Sequence, residues 1–274
     1  MVVFPYHERT SMNETEILSA ADALYGAWCG RGMIEPLSDR YPDITIDDAY
    51  RIQQAFIGRR MAKGARIVGA KIGLTSLAVQ KQLGVDTPDY GVLFDDMGFG
   101  EGLPIPLAGL HQPKIEAEVA FVLGRDLDLP NPTLVDVIVA IDYALPAMEI
   151  VGSRIANWNI KLVDTVADNA SSSAFVIGGS PKKLGELDLR GCKMTMSRDD
   201  EQNVSTGTGA ACLGHPLNAV VWLARTMARV GAPLKAGHLV LSGALGPMVA
   251  VEAGKSYTAY IDGLGSVVAS FDSN

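Results

Sequence analysis

The spacing of apolar residues changes once along this chain, near residue 65, and that change limits the folds open to it. Before it, Ile17, Ala21, Leu24, Tyr25 and Trp28 recur at helical intervals, as do Ile52, Ala55, Phe56 and Met61. Ser11-x-x-Glu14 and Thr45-x-x-Asp48 are capping-box patterns ahead of these two series, and Gly30-Arg31-Gly32 and Gly64 supply the stops. After residue 65 the apolar runs shorten to strand length: 66–74, 90–94, 115–123, 147–151, 175–177 and 192–197. Helices are expected within the strand-rich part at 76–83, at 133–143, and from Pro216 to the Gly231-Ala232-Pro233 stop. Residues 198–203 read as a polar hairpin tip and Asp262-Gly263 as a turn. Helices first and strands after argue for an α+β fold rather than a doubly wound one.

This order divides the chain into a disordered extension at 1–12, a helical N-terminal region at 13–65 and a β-rich catalytic domain at 66–274, acting as one continuous unit. The extension carries Pro5 and His7-Glu8-Arg9 where a signal peptide needs its apolar core, so no targeting role is expected. The net charge of −8 offers no basic stripe for nucleic acid. No apolar run reaches the ~18 residues of a membrane span. Cys29, Cys192 and Cys212 lack a C-x-x-C pattern and read as three buried, reduced thiols of a cytoplasmic protein. His111, His215 and His238 stand apart from one another, and His215 suits a helix start.

Acidic residues in apolar strands are the most informative local feature. Glu116 and Glu118 share one face of Lys114-Ile-Glu-Ala-Glu-Val-Ala-Phe-Val122, about 6.6 Å apart along the strand. Buried without a partner they are costly, and a hard divalent cation resolves the cost; a water-facing strand resolves it equally well. Glu149, alone in Leu145-Pro-Ala-Met-Glu-Ile-Val151, needs a partner too, either a metal or Arg154. Lys71 lies among Val68 to Leu74 as an edge or snorkelling lysine or as a proton-transferring one. Asp89, between Pro88 and Tyr90-Gly91, has the setting of a turn residue. Residues 164–173 concentrate hydrogen-bonding side chains in a capping or substrate-lining loop. Thr206-Gly-Thr-Gly-Ala-Ala-Cys-Leu-Gly214 departs from G-x-G-x-x-G and does not read as a dinucleotide loop.

Taken in order, several segments resemble the hydratase/decarboxylase branch of the fumarylacetoacetate hydrolase superfamily. They are Lys71-Ile-Gly-Leu-Thr75, Pro88-Asp-Tyr-Gly91, Pro113-Lys-Ile-Glu-Ala-Glu118, Glu149-Ile-Val-Gly-Ser-Arg154, Val163-Asp-Thr-Val-Ala-Asp-Asn-Ala-Ser171, Cys212-Leu-Gly-His-Pro-Leu-Asn218 and Leu241-Ser-Gly-Ala-Leu-Gly-Pro-Met248. The resemblance implies a mixed β-roll or barrel core with a helical N-terminal part. It also implies Mg²⁺ or Mn²⁺ held by Glu116, Glu118 and Glu149, with Lys71 and Asp89 as catalytic residues. Thr75, Asn169, Ser171 and Ser242 fall on substrate-binding positions. The H-x-x-E pair of the superfamily's C–C hydrolases is missing from the sequence. The implied reaction is that of a hydro-lyase, adding water to 2-hydroxypenta-2,4-dienoate (2-keto-4-pentenoate) to give 4-hydroxy-2-oxopentanoate in meta-cleavage catabolism of aromatic compounds. Alternatives are decarboxylation of 4-oxalocrotonate, hydration of a longer 2-hydroxydienoate, or a non-catalytic assembly partner. Expected partners are the small anionic substrate, other copies of the chain in a homo-pentamer or decamer, and the pathway decarboxylase or aldolase; neither nucleic acid nor membrane is expected.

Overall fold

The computed structural model describes residues 11–77, 80–81 and 85–273. Three helices come first: α1 (Glu14–Trp28), α2 (Leu37–Arg40) and α3 (Ile46–Ala62). The cap of α1 is Asn13 with Glu16, two residues beyond the expected Ser11 and Glu14. Ser11 turns away to serve the other helix, its hydroxyl donating to Asp43 O at 2.7 Å and its N–H to Asp48 at 3.1 Å. The Thr45–Asp48 cap starts α3 as read. Ile17, Ala21, Leu24, Ile52 and Phe56 close a core of their own, completed by Ile155 and Val166 from far along the chain. Residues 1–10 of the expected extension lie outside the described residues, as do 78–79 and 82–84 of the expected helix at 76–83.

Two mixed sheets follow. The larger runs in the order β2 (Asp89–Phe94), β1 (Ile67–Gly73), β10 (Leu239–Ala244), β5 (Lys114–Leu123), β6 (Ile141–Val151), β7 (Ser172–Ile177) and β3 (Gly98–Phe99), with β11 (Val249–Ala250) also paired to β5. The smaller runs β4 (Pro104–Ile105), β13 (Gly265–Phe271), β12 (Ser256–Ile261), β8 (Lys193–Arg198) and β9 (Glu201–Thr208). β1 lies parallel to β10, whereas β10, β5, β6 and β7 are antiparallel in succession. Among the described residues, helices α4 (Leu134–Ala140), α5 (Leu162–Ala167) and α6 (Pro216–Arg229) are inserted between strands, the last capped by His215 as expected. This is the α+β class that the periodicity implied.

The element boundaries depart most from the sequence reading in two places. The helix expected over 133–143 stops at Ala140, and the chain passes directly into β6, which begins six residues before the expected strand at 147. Pro146 masks that strand in the sequence; it sits opposite Val119, and its carbonyl accepts from Gly178 N–H at 2.9 Å. The hairpin tip between β8 and β9 shrinks to Asp199 and Asp200, because Arg198 and Glu201 already pair across it.

Alternation along β5 divides its side chains between two interiors. Ile115, Ala117, Val119 and Phe121 join Tyr257, Ala259 and Val267 in the core between the sheets. Ala120 joins Phe94, Leu145, Ala147, Phe175 and Leu241 on the opposite face. Both faces of β5 therefore pack against other parts of the protein, and Glu116 and Glu118, on the Ala120 face, are buried with it.

Candidate metal centre and active site

Strand register places the acidic residues. Glu116 of β5 stands directly opposite Glu149 of β6, and Glu118 pairs with Ala244 across the bulge in β10. Directly opposed like charges are unfavourable in a sheet unless something neutralises them. Relative exposures are 8% for Glu116 and 0% for Glu118 and Glu149, so solvent does not do so. One carboxylate oxygen from each of the three lies within 4.8 Å of the others. The water-facing alternative for this strand is overturned.

Lys71 reaches the cluster from β1, its Nζ 3.1 Å from Glu149 Oε1. That resolves the partner of Glu149, because Arg154, the alternative near it in sequence, is buried against Asp168 instead. Asp89 opens β2 opposite Gly73, so it is a strand residue rather than a turn residue, and its charge acts on Lys71. Gly73 is required there: a Cβ on it would fall 2.2 Å from Asp89 Oδ1. The centre thus contains four carboxyls and one ammonium, contributed by β1, β2, β5 and β6 of one sheet.

The electrostatics match this excess of acid. Burial pushes Glu116 up to about 7, helped by the charge of Glu149. Burial also raises Glu118 well above the ordinary carboxylate range, with Glu149 and Glu116 adding to the effect. Glu149 is raised by burial against the pull of Lys71, and Asp89 likewise. Burial alone would lower Lys71, yet Glu149, Asp89, Glu116 and Glu118 together hold it above its usual value, so the ammonium stays charged.

A hard divalent cation fits these residues. Glu118 Oε1 and Glu149 Oε2 are buried with no hydrogen-bond partner, a condition that proteins rarely tolerate. The donors are all oxygens, the set that Mg²⁺, Mn²⁺ and Ca²⁺ prefer. The second oxygen of Glu118 is already fixed, accepting from Gly243 N–H at 2.7 Å.

The remaining expected site residues divide into two groups. Thr75 and Ser242 flank Glu118: Thr75 packs against Gly243, where a Cβ would meet its Oγ1 at 2.3 Å, and the buried Ser242 hydroxyl has no hydrogen-bond partner. Below them Cys212 donates to Ser242 O at 2.9 Å, its thiol pushed up to about 12 by burial and by Glu118. Ser171 Oγ lies 3.3 Å from Thr165 Oγ1. Asn169 instead serves the scaffold, accepting from Val92 N–H at 2.8 Å and donating to Val92 O at 2.9 Å. Of the three cysteines, Cys192 and Cys212 are buried as expected, but Cys29 is exposed at the end of α1, where the cap leaves its side chain outside the helical core. Gly243 and Thr165 were missed by sequence reasoning. A glycine within a strand pattern is a signal of close approach that points to Gly243; Thr165 has no comparable signal.

A family model for the fumarylacetoacetate (FAA) hydrolase C-terminal domain matches residues 70–271, and the chain belongs to that family. Within it, the chain is 60% identical over 255 residues to a 2-keto-4-pentenoate hydratase of Paraburkholderia xenovorans (strain LB400), covering 93% of this chain and 94% of that protein. It is 55% identical to 2-keto-4-pentenoate hydratase 1 of Dechloromonas aromatica (strain RCB), covering 95% and 100%. Among solved structures, 4-oxalocrotonate decarboxylase from Pseudomonas putida G7, complexed with magnesium and adipate, superposes with a TM-score of 0.92 at 38% identity, over 96% of this chain and 100% of that one.

Proposed function

We propose that this chain is a metal-dependent hydro-lyase that converts 2-hydroxypenta-2,4-dienoate to 4-hydroxy-2-oxopentanoate. The observation that carries the reading is the convergence of Glu116, Glu118 and Glu149 on one buried point that Lys71 also reaches. Relatives at 55–60% identity named as hydratases favour water addition over decarboxylation.

Glu116, Glu118 and Glu149 would hold Mg²⁺ or Mn²⁺. The bound ion supplies Lewis-acid chemistry, drawing electron density from oxygens of the substrate. With Glu116, Glu118, Glu149 and Asp89 ionised, a divalent ion and a protonated Lys71 would leave one formal negative charge, and a proton taken by Asp89 would make the centre neutral toward an anionic substrate. The reaction balances in two stages. The enol gives up its O–H proton and C5 gains one; water then divides, hydroxide to C4 and proton to C3. Lys71, kept cationic by its carboxylates, donates hydrogen bonds and offsets negative charge on the substrate. Asp89, whose pKa burial raises above the ordinary aspartate value, accepts and returns the proton or orients the water. Ser171, Thr75 and Ser242 add neutral hydroxyls for binding, and Asn169 holds the wall that carries Ser171.

Four side chains on α4 and at its start, Leu134, Val135, Ile138 and Val139, are exposed and apolar. Burying them against further copies would suit a homo-oligomer, of five or ten chains by family resemblance, working in the cytoplasm alongside the pathway decarboxylase or aldolase. Among the described residues no helix is long and apolar enough to cross a membrane.

The test is a panel on the purified chain: loss of dienol absorbance for dienoates of graded length, and CO₂ release from 4-oxalocrotonate, each with Mg²⁺, with Mn²⁺ and after chelation. Fastest turnover of the five-carbon dienol, lost on chelation and restored by metal, is the expected result. Faster CO₂ release would assign the decarboxylase reaction instead, and no turnover at all would leave the assembly-partner role.

A further inference from the structure

Lys114 begins the strand that carries Glu116 and Glu118, and alternation puts its side chain on their face of the sheet. It pairs with Val151 of β6 on one side and Ala250 of β11 on the other, so its rung lies two residues beyond that of Glu116 and Glu149. Exposure rises in that direction. On β5, Glu118 is fully buried, Glu116 is 8% exposed and Lys114 is half-buried; on β6, Glu149 is fully buried and Val151 is 5% exposed. The metal centre therefore opens toward the end of β5 that bears Lys114.

An aromatic face holds the ammonium there. Lys114 Nζ lies 4.3 Å from the centroid of the Trp158 ring, a cation–π distance. Trp158 is itself fixed: its Nε1–H donates to Gln112 O at 3.0 Å, and Gln112 Nε2 donates to Ile155 O at 2.8 Å and to Ser153 O at 3.2 Å. Gly152 lets the two loops meet, since a Cβ on it would fall 2.8 Å from His111 O. The arrangement has a conformational cost. Gln112, Asn157 and Trp158 adopt φ of 50°, 60° and 53°. Left-handed backbone disfavours residues with a Cβ and persists where surrounding contacts impose it, with a bias toward binding sites. Among the described residues no carboxylate pairs with Lys114, although acidic residues outnumber basic ones by 31 to 23.

We propose that Lys114, seated on Trp158, recruits small carboxylate anions to the metal centre. This rests on the hydratase reading above and adds a substrate-recognition residue to it. The centre is neutral at best with its ion in place, so its own net charge does not draw an anion in. A cation at the opening supplies that attraction, strengthened by the low-dielectric wall behind it. The indole holds the ammonium without neutralising it, as a carboxylate partner would. Lys114 thus sets how readily an anion arrives and stays, and its effect belongs to KM rather than to kcat.

The experiment uses the full chain loaded with Mn²⁺. Lys114→Met removes the charge and keeps the apolar stem, Lys114→Arg keeps the charge, and Trp158→Leu removes the aromatic face. In Lys114→Met, KM for the dienol should rise about threefold to tenfold with kcat within about twofold, the worth of one partly screened charge contact. Wild-type kcat/KM should fall as salt is added, the fall should flatten in Lys114→Met, and Lys114→Arg should restore both readings. Trp158→Leu should lie between. Calorimetry with oxalate, a chelating anion that undergoes no hydration, should show a parallel loss of affinity in Lys114→Met while Mn²⁺ affinity does not fall. If oxalate binding weakens but the wild-type chain hydrates no dienoate, the hydratase reading fails and recruitment by Lys114 stands. Wild-type KM, salt dependence and oxalate affinity in Lys114→Met would overturn the proposal. So would a loss of kcat or of Mn²⁺ affinity at unchanged KM, or failure of arginine to restore. Should Lys114→Met not fold, Lys114→Gln gives the same readings with a polar side chain.

Discussion

Two clusters of buried charge lie close together in this fold, and they are built to opposite ends. Around Arg154 every requirement is met internally. Its side chain and backbone N–H bind both carboxylate oxygens of Asp168, and the guanidinium also donates to Ser172 O, Ser173 Oγ and Asp168 O. Around Lys71 one ammonium faces four carboxyls, and Glu118 and Glu149 retain oxygens without hydrogen-bond partners. The first cluster is closed and ties β6 to the turn before β7. The second is left incomplete by the protein alone, and under the proposed function a divalent ion would complete it. Burial by itself does not mark a functional site; an unbalanced charge count among buried groups does.

Substitutions separate the clusters, and the largest effect belongs to the incomplete one. Glu149→Gln or Glu116→Gln should reduce turnover at least about a thousandfold, since Lewis-acid assistance is worth several kcal/mol. Calorimetric titration with Mn²⁺ should lose its heat in either variant. The metal-free melting temperature of Glu116→Gln should hold or rise, because one of several mutually repelling buried carboxyls has been removed, whereas Glu149→Gln should lower it by giving up the Lys71 ion pair. Lys71→Met should slow turnover by about 10²–10⁴ while metal binding survives, separating proton handling from ion holding. Arg154→Met should act on stability, lowering it by about 3–5 kcal/mol in denaturant titration by leaving Asp168 unpaired, and Arg154→Met with Asp168→Leu should recover most of the loss. A Lys71 variant that unfolds, or an Arg154 variant that folds normally but is inactive, would erase the distinction.

The smallest effect is a pH dependence. Glu116 is pushed up to about 7 in the folded chain from its usual 4.5, by burial first and then by Glu149. A carboxyl raised in the folded state favours folding fully below its unfolded pKa and loses that contribution as pH rises through the folded value. The metal-free melting temperature should therefore decline between about pH 4.5 and 7. Because the ion displaces the protons of these carboxyls, Mn²⁺ affinity should rise across the same window and then level off. Affinity that is flat from pH 5 to 8 would mean that the carboxyls are ionised before the metal arrives.

Much of the incomplete cluster was legible in the sequence, because carboxylates in an apolar strand contradict their surroundings locally. Glu116, Glu118 and Glu149 stand out for that reason, and so does Lys71. Which of them meet is another matter. Arg154, five residues from Glu149, looked as suitable a partner as a metal, but the partner from this chain is Lys71, brought in through the β1–β10–β5–β6 pairing. Asp89 looked like a turn residue because Pro88 and Gly91 surround it, although Gly91 is there to admit the Asn169 backbone. Thr165 was invisible, since its contact with Ser171 depends on the turn between α5 and β7. The same held for local boundaries: Ser11 and Asn13 each precede a glutamate by three residues, and only packing against Asp48 decides between them.

Diffraction from crystals of the chain grown with Mn²⁺, using the anomalous signal of manganese, tests the central claim most directly. The account predicts a single strong peak per chain, within about 2.2 Å of a carboxylate oxygen from each of Glu116, Glu118 and Glu149. A peak elsewhere, or an empty site in crystals whose protein turns over the dienol after exhaustive chelation, would contradict it.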